Sequence, residues 1–252
     1  MAEHSFHTPL PLTLDVSVPA GDVIVETIDG EQSTIVVEGD ERLVEATRVS
    51  HDGNRLVVEY RDRKPFGLVV QIGNFYWGND GIRVRARIPH GAAAKLNTAS
   101  ADLAVDGRVG ALDVKTASGD LRVRGEVEND AKIKTVSGDV ELDRVGAELS
   151  VNTVSGDVRV AAVGGASEVR SVSGDIRLES LREGRASFTS VSGDVEVGIA
   201  QGSLLDVDAG STSGDLSSEV ALASEQSGNG DGPTVVFRAK TVSGDVHIFR
   251  AA

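Results

Sequence analysis

The chain has 252 residues, of which 40% are hydrophobic but only 4% are aromatic, and it contains no cysteine. Its formal net charge of −14 argues against a nucleic-acid-binding protein, because neutralising phosphates requires clustered Lys and Arg, and it disfavours anionic membrane surfaces for the same reason. The absence of cysteine excludes disulfides and thiolate metal sites.

The first segment, MAEHSFHTPLPLTLDVSVPAG, does not resemble a targeting signal. It lacks the basic beginning and the uninterrupted apolar stretch that a secretory signal peptide requires. No later stretch of about 18 apolar residues predicts a membrane-spanning helix. We therefore expect a cytoplasmic protein with no membrane span.

Residues 1–97 are predicted to form a degenerate β-strand region that caps the rest of the chain. Gly21 and Asp22 precede alternating valines, and the segments STIVVEG, NRLVVEY and GIRVRARIP have the composition of further strands, separated by turn signals. A cap is expected because the open end of a stack of strands exposes unpaired backbone groups.

Residues 61–81 interrupt this pattern with four of the nine aromatic residues of the chain, and arginines follow on the outward positions of the next strand. The segment either folds over apolar surface at the end of the stack or exposes an aromatic patch for a partner. Alternating arginines more commonly mark a solvated strand face. The candidate interaction patch consists of Phe66, Phe75, Tyr76, Trp77, Arg83, Arg85 and Arg87.

Residues 98–252 contain eight copies of a short motif whose most regular form is T-V-S-G-D-V. Successive motif aspartates are separated by 18, 19, 18, 18, 19, 21 and 30 residues. A near-constant period of this length indicates a stacked repeat protein. The aspartates are Asp102, Asp120, Asp139, Asp157, Asp175, Asp194, Asp215 and Asp245.

Apolar residues divide each repeat into two halves of nine residues. Val140 and Leu142 are followed nine residues later by Leu149 and Val151, and the i, i+2 spacing is typical of half-buried strands. A third apolar residue in each half, such as Val154, follows the same nine-residue spacing and is expected in the core. No window has the sustained spacing of an amphipathic helix.

We therefore predict an all-β fold, a β-helix, or β-solenoid, that forms one continuous domain with about 18–19 residues per turn. Each turn is expected to bury about five or six aliphatic side chains, worth roughly 1.5–3 kcal/mol each. The Ser-Gly-Asp corner is interpreted first as a turn, in which Gly supplies a strained backbone conformation. Residues 217–235, rich in Ser and Gly, are predicted to form a loop that stretches the last interval.

Stacked aspartates are the place where a ligand is most plausible in such a fold, because like charges about 4.8 Å apart repel by roughly 1 kcal/mol even in water. One interpretation is that each carboxylate accepts hydrogen bonds from backbone N–H groups of its own or the adjacent turn. Calcium is the alternative. Only one half of each repeat carries Asp, however, which offers too few oxygens for the six to eight ligands that calcium prefers, so we expect no metal and no other cofactor.

Catalytic motifs are absent. The chain has no G-x-S-x-G, H-E-x-x-H or P-loop pattern, and its five histidines are dispersed. Ser and Asp recur because the corner repeats them, so they do not indicate a catalytic triad. We therefore expect a protein that is not an enzyme and has no catalytic residues.

The repeated T-V-S-G-D-V unit, preceded by the related opening PAGDVIV, resembles the bacterial β-strand-repeat proteins grouped as domain of unknown function 4097 and labelled "putative adhesin". The resemblance covers most of the chain and is most specific from Thr98 to Val197, with Ala101 replacing the motif Gly in the first copy. The resemblance implies a right-handed, single-stranded β-helix, or β-solenoid, without an established catalytic or cofactor site. Some relatives are associated with the cell envelope and its stress responses.

Three functional hypotheses follow. The first is a non-enzymatic scaffold or protein-interaction module, with a protein partner or self-association and a possible link to the envelope or adhesion. The second is a self-assembling structural protein, similar in principle to the bactofilins. The third is a β-helix that binds or cleaves carbohydrate, with Tyr76 and Trp77 contacting the sugar.

Overall fold

The computed structural model describes residues 1–61, 81–220 and 232–251. Within those ranges, 21 strands join one hydrogen-bonded sheet, accompanied by one short helix. The elements are β1 (Ala2–His7), β2 (Thr13–Ile28), β3 (Gln32–Glu38), α1 (Glu41–Ala46), β4 (Thr47–Asp52), β5 (Arg55–Tyr60), β6 (Ile82–Pro89), β7 (Ala93–Val109), β8 (Leu112–Lys115), β9 (Leu121–Val127), β10 (Ala131–Lys134), β11 (Val140–Val145), β12 (Leu149–Asn152), β13 (Val158–Val163), β14 (Ser167–Arg170), β15 (Ile176–Leu181), β16 (Gly184–Thr189), β17 (Val195–Ile199), β18 (Leu204–Ser211), β19 (Leu216–Ser218), β20 (Thr234–Thr241) and β21 (Val246–Arg250).

The strands stack in parallel on two sides of a β-solenoid, so the predicted fold class is confirmed. On the front side the spatial order is β5, the first part of β2, the first part of β7, β8, β10, β12, β14, β16, β20 and β18. On the back side it is β6, the later parts of β2 and β7, then β9, β11, β13, β15, β17, β21 and β19.

Pairing between turns keeps equivalent positions of the repeat in register. Val140 lies beside Val158, and Leu149 beside Ser167, so each turn advances by one repeat of 18 residues at these strands. Because neighbouring strands lie about 4.8 Å apart, side chains from one repeat position form a straight column along the solenoid axis. Strand β7 runs without interruption across residues 97 and 98, where the sequence suggested a boundary.

Chain order and spatial order differ at both ends of the solenoid. One edge of strand β2 pairs with β7, and its other edge pairs with the later strands β5 on the front side and β6 on the back side. At the far end, β20 and β21 insert between the turn of β16 and β17 and the turn of β18 and β19. The two longest motif intervals therefore arise where the chain first forms the terminal turn, β18 and β19, and then returns to form the turn next to it, β20 and β21.

Antiparallel strands close the N-terminal end, as the predicted β cap required. On the back side β3 pairs with β6 and β1 pairs with β3, and on the front side β4 pairs with β5. Helix α1 connects β3 to β4 and is capped at its N-terminus by Asp40, whose side chain accepts a hydrogen bond from the Arg42 backbone N–H. These strands cover the edge of the parallel stack that an uncapped solenoid would expose.

The core is a set of aliphatic columns between the two sides, with two aromatic rings near the C-terminal end. Phe188 and Phe237 are buried in adjacent turns and meet edge to face, with ring centroids 5.7 Å apart. The core prediction is wrong at Val154 and its equivalent Val172, which are exposed. The preceding residue, Thr153 in the same turn, is buried instead.

Part of the corner accommodates a polar residue at this core position. In three successive turns the buried threonine donates its hydroxyl hydrogen bond to the backbone carbonyl two residues later, as Thr135 does to Ser137 and Thr153 to Ser155, each at 3.2 Å. This local bond lets a polar side chain occupy the core without leaving its hydroxyl unpaired. The following valine then points to solvent.

The motif glycines allow adjacent corners to approach closely. Gly156 has φ +118°, and a Cβ added to it would lie 2.3 Å from the carbonyl oxygen of Gly138 in the next turn. Equivalent contacts recur at Gly138, Gly174 and Gly193. The corner therefore demands glycine for both backbone conformation and space.

Replacing Gly156 with Ala is expected to lower the free energy of unfolding by at least about 2 kcal/mol, because the strained φ alone costs about 1–3 kcal/mol and the turns must also separate. Gly210→Ala is the matched control, since nothing lies within 4 Å of its added Cβ. Urea denaturation followed by circular dichroism measures both. Equal stability of the two variants would contradict the close-approach explanation.

Candidate interaction surface

The motif aspartates form a continuous ladder in which each carboxylate binds the backbone of a neighbouring turn. In seven successive steps one Oδ1 accepts a hydrogen bond from the backbone N–H of the next aspartate at 2.8–3.0 Å. The spatial order follows the inserted strands and ends Asp194, Asp245, Asp215. The aspartate ladder, as this column is called below, therefore caps backbone groups, as the first interpretation held.

Arginines on the back side balance part of this charge. Arg122 and Arg159 lie 3.4 and 2.8 Å from Asp120 and Asp157, respectively. Within the described ranges, no group of three or more His, Asp or Glu side chains has the arrangement of a metal site. Backbone capping therefore accounts for the alignment of these carboxylates without invoking an ion.

The sequence-predicted patch divides into two parts. Its aromatic members Phe66, Phe75, Tyr76 and Trp77 lie outside the described residues. Its basic members Arg83, Arg85 and Arg87 occupy the outward face of β6.

Two of those arginines pair with acids on the adjacent strand β2. Arg83 lies 2.8 Å from Asp22, and Arg87 lies 3.0 Å from Glu26. Both partners are 61 residues earlier in the chain, so no local sequence pattern reveals them. The charge of this face is therefore largely balanced.

A second, larger basic surface lies on the front side, and the sequence interpretation did not identify it. The two outward columns of this side between β7 and β20 contain seven basic and only two acidic side chains. Their formal charge is +5 on a chain of −14, which leaves −19 for the remainder. This basic face comprises Lys95, Lys115, Lys132, Lys134, Arg170, Arg238 and Lys240, with Asp113 and Glu168. Arg185 lies outside it, at the position where two earlier turns carry the exposed acids Asp130 and Glu148.

Register places these charges in two adjacent columns. Because the strand pairs are in register, neighbours within a column are about 4.8 Å apart. One column contains Asn97, Lys115, Lys134, Asn152, Arg170, Thr189 and Lys240, and the other contains Lys95, Asp113, Lys132, Ser150, Glu168, Ser187 and Arg238. Hydroxyl and amide groups thus alternate with cations along the face.

Few of these cations have an acidic partner within the molecule. Arg170 pairs with Glu168. Across the part of the chain that the structure describes, no ion pair involves Lys115, Lys132 or Lys134, and all three are exposed. A shallow depression in the face is lined by Lys132, Lys134 and Arg170. The face therefore presents unneutralised charge to solvent.

A ridge of valines borders the basic face at the motif corner. The second residue of the motif is 46–52% exposed in five consecutive turns. Val154 also lines the depression that contains Lys132 and Lys134, so the ridge and the basic face are contiguous. The valine ridge comprises Val136, Val154, Val172, Val191 and Val242.

One sequence signal does identify the front-side charges. The residue that precedes the T-V-S-G-D motif is Lys115, Lys134, Arg170 or Lys240 in four copies and Asn, Thr or Gly in the others. Comparing that single position across all repeats reveals a polar, basic column. The inserted order of β20 is needed to place Lys240 in it.

The fold and these surfaces define a capped β-solenoid module. The family model described as Toastrack DUF4097 matches residues 12–249, so the chain belongs to that family. No curated protein matches this chain. Within the described ranges, no helix is long and apolar enough to cross a bilayer.

Three solved structures share the fold. A putative adhesin from Bacteroides fragilis has a TM-score of 0.56 at 14% identity, covering 98% of this chain and 96% of that one. A putative adhesin from Parabacteroides merdae has a TM-score of 0.50 at 14% identity, covering 98% and 95%. A putative lipid binding protein from Parabacteroides distasonis has a TM-score of 0.52 at 13% identity, covering 98% and 96%. Structural similarity at such low sequence identity shows only that this chain and these proteins share a fold.

The ladder yields a second testable expectation. Asp175→Ala leaves the backbone N–H of Asp194 without its acceptor, which now lies 2.9 Å away, and is expected to lower the free energy of unfolding by about 1–2 kcal/mol. Asp175→Asn retains an acceptor oxygen and is expected to change stability by less than about 0.5 kcal/mol.

Thermal unfolding with and without millimolar calcium measures both effects. Asp206→Ala, on the outward face of β18, is the control for losing one carboxylate. Equal losses for the Ala and Asn variants of Asp175, or a melting temperature raised by calcium, would contradict backbone capping as the role of the ladder.

Proposed function

We propose that this protein is a non-enzymatic interaction module that binds an acidic protein partner through its basic face. The observation that carries the proposal is the group of exposed lysines, Lys115, Lys132 and Lys134, for which the described residues supply no ion pair. A solenoid suits this role because hydrogen bonds to both neighbouring turns hold each strand, so the charges keep a fixed spacing.

The electrostatics favour recognition at one place. Neighbouring charges on the basic face, such as Lys115, Lys132 and Lys134, lie within about 8–10 Å of one another, the Debye length at moderate salt, so their potentials reinforce. The remaining −19 repels an acidic partner elsewhere on the molecule. Complementary charge of this kind increases association rate and specificity more than it increases affinity.

The relatives support an interaction role in general terms. Two solved structures of this fold are described as putative adhesins and one as a putative lipid binding protein, and none of these names describes a reaction. The absence of catalytic motifs from the sequence supports the non-enzymatic part of the proposal. A link to the cell envelope and a cytoplasmic location both remain predictions.

A labelled oligo-glutamate peptide is a suitable probe for the basic face. Wild-type protein is expected to bind it at about 0.05 M salt, and the Lys132→Glu, Lys134→Glu double variant is expected to bind at least about tenfold more weakly, because four units of charge change at the centre of the face. Fluorescence anisotropy measures both affinities.

Arg124→Glu, Arg144→Glu is the matched control, since it makes the same charge change on exposed residues of back-side strands. It is expected to bind within about threefold of wild type. No binding by wild type, or equal loss in both double variants, would overturn the proposal, because the effect would then follow net charge and not the basic face.

A further inference from the structure

We propose that the acidic partner is a second copy of this chain, whose aspartate ladder docks on the basic face. This inference rests on the proposed function and adds the identity of the partner. Both surfaces are present on every molecule, and they lie on different sides of the solenoid: the cations on the front side and the ladder at the start of the back side.

Matching spacing is the first argument. The ladder presents one carboxylate per turn, and one oxygen of each is held by a backbone N–H, which fixes the direction of the side chain. The basic face presents at least one cation in five of its seven turns, the exceptions being the turn of Ser150 and Asn152 and the turn of Ser187 and Thr189. Both columns repeat at about 4.8 Å, so two solenoids with aligned axes can pair carboxylates with cations over several turns.

Charge distribution is the second argument. A chain of −14 repels its own copies at long range, but at about 0.1 M salt the Debye length is only about 10 Å, so the far side of each molecule is screened while facing columns still attract. Association is therefore expected at intermediate salt and lost near 1 M, where the Debye length falls to about 3 Å.

Geometry determines the kind of assembly. The two surfaces are different, so each contact is heterologous, and a molecule that uses its basic face still offers its ladder to another copy. The expected product is an open series of laterally associated solenoids. The valine ridge lies between the two surfaces along the motif corner and adds apolar area next to the contact.

Sedimentation velocity across a wide range of protein concentration tests the inference. The weight-average mass of wild type is expected to rise with concentration at about 0.1 M salt and to return to that of the monomer near 1 M. Lys132→Glu, Lys134→Glu is expected to remain monomeric under all these conditions. A mass that stays monomeric for wild type would overturn the inference.

A second double variant separates this inference from the proposed function. Asp139→Asn, Asp175→Asn preserves the acceptor oxygens that cap the backbone but removes two charges from the ladder, and no ion pair of the described residues involves either carboxylate. It is expected to lose self-association while binding oligo-glutamate within about threefold of wild type.

The combined outcomes are distinct. If wild type binds oligo-glutamate but never associates, the proposed function stands and the partner is a different acidic protein. If wild type associates and the aspartate variant associates equally well, the ladder is not the docking element and the inference fails. Arg124→Glu, Arg144→Glu again controls for net charge and is expected to retain association.

Discussion

Every feature of this molecule depends on the in-register stacking of its turns about 4.8 Å apart. Backbone hydrogen bonds join each strand to the turns before and after it, so a residue type that recurs once per repeat becomes a column. Aliphatic columns form the core. The same stacking forces the motif corners together so closely that a side chain at Gly156 would overlap the carbonyl of Gly138.

The corner shows how one short motif satisfies several physical demands at once. Thr places its hydroxyl in the core and satisfies it on a carbonyl two residues later, and Gly permits the close approach of adjacent turns. Asp then supplies an acceptor to the N–H of the next corner. The residue left over, Val154 in this turn, faces solvent, and Val172 does so as well, although the hydroxyl of Ser171 before it has no hydrogen-bond partner among the described residues.

Much of this was predictable from the sequence, because a strict repeat transmits its structure through periodicity. The fold class, the length of the turn, the strand pairs such as Val140 and Val158, and the cap followed from spacing alone. What periodicity cannot give is the pairing of distant segments. The ion pair of Arg83 with Asp22 and the insertion of β20 beneath β18 depend on the order in which the ends stack.

The same limit applies to the candidate site. The basic concentration chosen from the sequence consisted of neighbours in the chain, and two of its arginines prove to be neutralised by β2. The basic face consists instead of residues as distant as Lys95 and Lys240, which only the stacked register brings to one side. Net charge was misleading for a related reason, since −14 describes the whole chain and not any one face.

The placement of distant cations in one column is the central claim, and a distance between spin labels tests it most directly. The chain has no cysteine, so labels attached at Lys134→Cys and Lys240→Cys report on those positions alone. With β20 inserted between β16 and β18, four strand steps separate them, and a narrow distribution near roughly 19 Å is expected. A distribution centred near roughly 24 Å, as chain-order stacking requires, or one without a defined maximum, would contradict the account.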